Sequence, residues 1–313
     1  MVREARNQPR KSKLGTVEDA MAFIHDGMYL AFGGHVYFNK ASHMVRAIAR
    51  KRVKNLTLSG SPYASYEMDL LIAAGAASKV MVGNLGFEYL GLAPNFRTAV
   101  QRGTIETVVG DESTLIGGYM ATVEGIPYHP IVSIKGSDVL KISPLVKMYK
   151  APWGGEEIIA VKALNPDVAI LHAQEADEFG NARYKGQPYF DQIIAKASKK
   201  VILSVDEIIS HDKVTAEPEK TVIPGFMVEM VVHLPFGAHP CLSTRSYVHD
   251  EPHLKEYIQK SQESLKEGDT GPLDEWLKKY VYEPKSIYDY LERVGGLKRM
   301  TELKLMMELG RDH

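Results

Sequence analysis

The residues best placed to do chemistry lie between positions 164 and 186, where His172, Gln174, Glu175 and Asp177 follow directly on the apolar run 168–171. That run is aliphatic and β-branched, with Asn165-Pro166 before it and Phe179-Gly180-Asn181 after it, so it reads as a buried strand closed by turns. In an open α/β sheet, ligands bind outside the carboxyl ends of the strands, which makes polar groups directly after a buried strand candidates for a cleft. A capped loop would use the same residues, and spacing alone does not choose between the two.

Other groups invite the same question. Gly33-Gly34 ends a short apolar run and opens on His35, Asn39 and Lys40, a setting in which backbone N–H groups can hold an oxyanion or phosphate. A tight turn also needs glycine there, and Lys40 would serve equally as a solvated helix start. The third glycine of G-x-G-x-x-G is missing, and no phosphate-loop motif occurs. Gly60 stands in Ser59-Gly60-Ser61-Pro62, at the end of the next strand. Asp111-Glu112-Ser113 either caps a helix or presents Glu112 as a general base. His239, in Gly-Ala-His-Pro, is a site residue or a structural histidine. His249 and His253 have the i, i+4 spacing of a helical metal pair, but Pro252 disfavours helix directly before it, so no metal site is expected.

These groups require a repeating framework. Thr16 and Asp19 form a capping-box pattern before a first helix. Strands are expected at 28–32, 56–58, 79–82, 104–109, 158–161, 168–171, 201–205 and 227–234, with helices between many of them, including one over 114–123 that Gly117-Gly118 weakens. This rhythm predicts an α/β fold: a mainly parallel sheet covered by helices. The segment 135–155 reads as a long excursion without a helix. After position 247 the texture turns charged and helical, at 252–266, 273–281 and 284–294. The expected organisation is a flexible basic arm (1–15), an α/β domain (16–247) and a C-terminal helical extension of the same domain (248–313).

Composition narrows the function. The 313 residues hold 38 Lys and Arg against 39 Asp and Glu, a net charge of −1, so no global positive field exists to hold nucleic acid. Cys241 is the single cysteine, which excludes an internal disulfide framework and suits a reducing cytoplasm. The basic start has no apolar stretch behind it and reads as no signal peptide. No run approaches membrane-span length.

Several segments together resemble the alpha chain of type I coenzyme A transferases, closest to the glutaconate branch. They are Asp26-Gly27 through Gly33-Gly34, Gly125-Ile126-Pro127, the stretch 165–174 with Gly180-Asn181, Glu207-Ile208-Ile209-Ser210, and 235–240. The resemblance implies a fold shared with sugar-phosphate isomerases and a hetero-oligomer with a beta partner. It implies acyl-CoA and a carboxylic acid, with a dicarboxylate expected, as substrates and no tightly bound cofactor. The nucleophilic glutamate is implied on the beta partner, in a Ser-Glu-Asn-Gly-like context absent from this chain. Gly33, Gly34, His35, Asn39, Lys40, Gly60, His172, Gln174 and His239 are then expected to shape the substrate and CoA cleft. Asp111-Glu112 and the stretch 186–191 are also similar to the alpha-type chain of steroid ring-opening CoA hydrolases, which would make Glu112 catalytic. A non-catalytic ligand sensor is a further alternative, although no basic helix-turn-helix precedes the domain.

Overall fold

The computed structural model describes residues 10–267 and 270–310. A nine-stranded sheet runs in the order β1 (Leu14–Gly15), β14 (Met230–His233), β13 (Lys200–Ile208), β11 (Val168–Ala176), β2 (Tyr29–Phe32), β3 (Leu56–Gly60), β5 (Ala77–Val82) and β7 (Glu106–Val109). All these neighbours pair in parallel; the ninth strand, β12 (Ala182–Arg183), folds back antiparallel on the end of β11.

Helices cover both faces, so the strands must be apolar on both, and their alternate side chains feed two separate cores. Leu30, Phe32, Val168 and Ile170 enter one core with the helices Ser42–Arg50 and Tyr66–Ala73. Ala31, Ala169 and Leu171 enter the other, with Leu115 and Tyr119 of helix Glu112–Glu124 and Ile194 of helix Asp191–Ala197. The weak-propensity pair Gly117-Gly118 has a packing reason. A Cβ at Gly118 would stand 2.5 Å from Leu164 Cγ, and the Leu164 N–H donates to the Gly118 carbonyl at 2.9 Å.

Several expectations need correction. The strand expected at 158–161 is not in the main sheet. As β10 (Glu157–Lys162) it is the centre of a small antiparallel sheet between β8 (Tyr128–Ile131) and β9 (Val146–Lys150). The excursion at 135–155 therefore contains a strand, and also a one-turn helix, Val139–Ile142. Lys150, in phase with Val146 and Met148, breaks the apolar alternation that would mark β9. A third, two-stranded ribbon joins β4 (Tyr63–Ala64) to β6 (Asn84–Leu85). Positions 1–9 of the expected arm lie outside the described residues, but its last part is an edge strand, with Leu14 paired to Val231. Lys13 pins it by donating to the Gly225 and Val228 carbonyls.

The C-terminal helices Glu251–Glu267, Gly271–Leu277 and Ile287–Arg293 bury Tyr257, Trp276 and Tyr290 in the same core as β2. A fourth helix, Gly296–Glu308, follows the three helical segments expected within 248–313. No helix among the described residues is long and apolar enough to cross a membrane.

Candidate functional site

Backbone conformation marks one end of the sheet. Eight non-glycine residues among those described have positive φ, and Val36, Asn39, Tyr189, Phe236 and Arg245 all lie in loops around the carboxyl ends of β2, β11 and β14. Left-handed geometry costs a non-glycine residue roughly 1–3 kcal/mol and persists where the surroundings enforce it, most often at functional sites. Val36 is β-branched, which makes its φ of 47° a genuine outlier.

The loop after β2 is held from below by a carboxylate. Asp191, at the start of helix Asp191–Ala197 and fully buried, accepts the Gly34 N–H at 2.6 Å and the Tyr184 hydroxyl at 2.8 Å. Gly33 has no room for a side chain, since a Cβ would stand 2.6 Å from both Asp191 Oδ1 and Leu171 Cδ2. Gly34 has φ +73° and would drive a Cβ into the Phe38 carbonyl. The expected oxyanion donors are consequently occupied. Gly33 N–H donates to Ile170, Gly34 to Asp191, His35 to Phe38 and Val36 to Tyr63. The glycines shape the loop and offer no free N–H from positions 33 to 36.

Burial pushes the Asp191 carboxyl up to about 6, against the Gly34 and Tyr184 hydrogen bonds and the charges of Lys40 and His172. A carboxyl raised from 3.8 favours the folded state fully below pH 3.8 and loses that contribution as pH rises through about 6, a span worth about 3 kcal/mol. Wild type should therefore lose stability relative to Asp191→Asn between pH 4 and 6.5, with a constant difference above that. Urea denaturation of both proteins across this range checks it; a flat difference would refute the assignment.

Beside the loop, Gln174 and Asn39 lock together. Asn39 Oδ1 accepts the Gln174 amide at 2.8 Å and both the backbone N–H and the hydroxyl of Thr244 at 3.0 Å. Gln174 also donates to Ser243 Oγ at 2.9 Å, and the Ser243 hydroxyl donates in turn to Asp206 Oδ2 at 2.5 Å. His172 lies behind Asp206, fully buried. Its Nδ1 is 3.0 Å from Ser204 Oγ, and its Nε2, which makes no hydrogen bond, is 3.3 Å from Asp206 Oδ2. Gln174 and Asp206 line a cavity of about 270 Å3. On the other side of the loop the His35 ring stacks on Tyr189, with centroids 4.9 Å apart and planes 11° from parallel. Burial and the Lys40 charge hold the His35 imidazole below its ordinary value, so it is neutral at pH 7.

The structure thus gathers Gly33, Gly34, His35, Asn39, His172 and Gln174 at one end of the sheet. The remaining expected residues have other partners, although Gly60 and Lys40 lie directly against the loop's base. Lys40 is neither solvated nor in the cleft; it is completely buried and paired with Glu67 at 2.7 Å. Gly60 is a packing glycine, because a Cβ there would strike the Phe32 carbonyl where β3 and β2 run together. His239 is structural, bound to Tyr290 at 2.7 Å and Asp250 at 3.0 Å beneath the C-terminal helices. Asp111 caps helix Glu112–Glu124 through the Thr114 N–H at 2.8 Å, and Glu112 is exposed on its first turn. His253 packs on Trp276 and Tyr280, while His249 stacks on Tyr37.

Sequence reasoning passed over Asp206, Ser243 and Thr244, and it met Asp191 only as the end of the stretch 186–191, with no role assigned. Asp206 was findable, since it follows the mainly apolar strand 201–205 as His172 follows 168–171. Asp191 carries no such mark, because its partner Gly34 is far away in the chain.

The sequence pattern of the coenzyme A transferase family matches residues 15–234. The A-type chain of glutaconate CoA-transferase from Acidaminococcus fermentans is 31% identical, over 96% of this chain and 97% of its own. The crystal structure of that organism's glutaconate CoA-transferase superposes with a TM-score of 0.86 at 29% identity, covering 93% of this chain and 95% of that one. The A-type chain of 3-oxoadipate CoA-transferase from Pseudomonas knackmussii is 30% identical, over 91% of this chain and 99% of its own. One component of the cholesterol ring-cleaving hydrolase of Mycobacterium tuberculosis is 31% identical, over 79% of this chain and 87% of its own.

Proposed function

The chain belongs to the coenzyme A transferase family as its A-type component, and on that premise we propose that it serves a cytoplasmic enzyme moving CoA between an acyl-CoA and a dicarboxylic acid, with the nucleophilic glutamate on a beta partner. The dicarboxylate part is supported by the two transferase relatives spanning at least nine-tenths of this chain, whose names carry glutaconate and 3-oxoadipate, both dicarboxylic acids. The hydrolase alternative is not favoured, since the hydrolase relative covers less of the chain and Glu112 is solvent-exposed.

The two-component reading is carried by the A-type relatives, and the state of Asp191 is consistent with it. Asp191 is the carboxylate that touches the glycine loop, and it is sealed from solvent with both oxygens bonded. A buried carboxylate so placed cannot reach a thioester carbon, so it acts as a support; an attacking carboxylate on the partner is what the family resemblance implies. That glutamate adds to the thioester carbonyl and expels CoA thiolate, leaving an acyl–glutamyl anhydride. The thiolate then attacks the glutamyl carbonyl and releases the first acid; the acceptor acid reverses both steps. This chain's part is to hold the acid and the loop, so that binding energy away from the reacting carbon orients it.

The complex with the co-encoded beta partner should exchange CoA between acids. Borohydride added with acyl-CoA should reduce the glutamyl thioester on the partner, leaving this chain's mass unchanged, and Glu112→Gln should retain exchange. Modification of this chain, or exchange by this chain alone, would sink the proposal.

A further inference from the structure

We propose that the cavity at the carboxyl ends of β11, β13 and β14 receives the remote carboxylate of the dicarboxylic acyl group, anchored by Lys304 with Lys185 beside it. This rests on the transferase reading above and assigns the part of the acid that the cavity takes. At roughly 30 Å3 per water, a cavity of about 270 Å3 has room for a short carboxylate-bearing chain and not for a whole coenzyme A.

Charge accounting singles out Lys304. It stands on helix Gly296–Glu308, beyond residue 234 where the family match ends. Its ammonium lies 4.9 Å over the Phe236 ring, and none of the ion pairs among the described residues includes it. Lys185 is only loosely engaged, 3.8 Å from Glu175 Oε1, an oxygen that Lys213 also approaches at 3.5 Å. The cavity holds two carboxylates as well. Asp206 has its charge met from the protein side: the Ser243 hydroxyl donates to Oδ2 at 2.5 Å, the Tyr247 hydroxyl to Oδ1 at 3.3 Å, and His172 backs it. Glu207 is exposed at the rim. Of the cations lining the cavity, Lys304 is the one left without a carboxylate among the described residues, and a ligand carboxylate supplies one.

Position agrees with charge. Gln174 lines the cavity and bonds Asn39 at the far end of the glycine loop, so the cavity opens beside the loop. Two of the left-handed residues belong to the same place: Phe236 lines the cavity, and Arg245 directly precedes Ser246, which also lines it. The last helix thus has a function in the fold: it brings a cation to a sheet end that the family core alone leaves open.

The test uses the purified complex of both components, with glutarate and adipate compared against valerate and hexanoate as CoA acceptors. Wild type should prefer the diacids. Lys304→Met, an exposed position, should raise KM for the diacids on the order of ten- to a hundredfold, as expected for a lost charge-assisted hydrogen bond, and leave the monoacids unchanged. Lys304→Arg should retain most of the preference, and Lys185→Met should weaken it less. A wild type indifferent to the second carboxylate, or a Lys304→Met complex that keeps its diacid preference or loses both acid classes equally, would overturn the assignment. A complex that exchanges CoA with none of the four acids would overturn the transferase reading itself and this pocket with it.

Discussion

Asp250→Asn is expected to cost roughly 3–5 kcal/mol of folding stability, the usual range for removing one partner of a buried ion pair. Asp250 is buried between a histidine and an arginine from different parts of the chain. Arg299 donates to it twice, from Nη2 to Oδ1 at 2.8 Å and from Nε to Oδ2 at 3.1 Å, and His239 Nε2 lies 3.0 Å from Oδ2. Burial alone would raise its carboxyl, but the His239 and Arg299 hydrogen bonds and charges hold it well below the usual range. Burial also keeps His239 below its ordinary value, and a neutral ring suits both contacts: Nε2–H donates to Asp250 while Nδ1 accepts the Tyr290 hydroxyl.

The sign follows from the depressed carboxyl. Its contribution is present above the ordinary carboxylate value of about 3.9 and is lost as pH falls below it. Asparagine has nearly the same shape and no charge, so it isolates the electrostatic part. Urea unfolding of wild type and variant at pH 7.5 and in the acid range would check this. A loss under about 1 kcal/mol at pH 7.5 would mean that Asp250 behaves as a surface pair. Since Arg299 and Lys304 share a helix, this contact also anchors the element that carries the proposed carboxylate pocket.

Lys40→Met is expected to have a similar effect, again roughly 3–5 kcal/mol, because it strands Glu67 in the core. Both side chains are essentially inaccessible, with Lys40 Nζ 2.7 Å from Glu67 Oε1 and 3.2 Å from the Gly33 carbonyl. Among the described residues, Glu67 then has the Ser65 N–H and hydroxyl left to share its charge, at 3.1 and 3.3 Å. The double variant Lys40→Met with Glu67→Gln should recover at least half of the loss, because no uncompensated charge remains. A double-mutant cycle read by denaturation distinguishes the outcomes. If the two losses simply add, the pair is not coupled, and the cost of Lys40→Met comes from its other contacts, such as the Gly33 carbonyl.

How much could be read in advance depended on the kind of cause. The capping box at Thr16 and Asp19 is local, and it forms as the spacing requires. The run Val168–Leu171 becomes the first part of β11, buried on both faces, because Val168 and Ile170 enter one core and Ala169 and Leu171 the other. His172 and Gln174 sit at the strand end where such residues are expected, and Gly33 and Gly34 do form the loop beside them. The same local rule failed for Lys40, since a lysine placed shortly after a strand looks solvated unless the glutamate across the core is known.

The sequence by itself determined the α/β rhythm, the mainly parallel sheet, the coenzyme A transferase family and the carboxyl-end segments that border a cleft. Periodicity and turn chemistry act over a few residues and leave a direct trace in the chain. Only the tertiary structure decided which polar residues face that cleft, because that depends on partners distant in sequence. Asp191 occupies the Gly34 N–H, Glu67 draws Lys40 inward, and Asp250 takes His239 for the C-terminal helices. Each of these is a buried polar group that must find a partner, and the packing of helices and loops against the sheet, not distance along the chain, determines which one it meets.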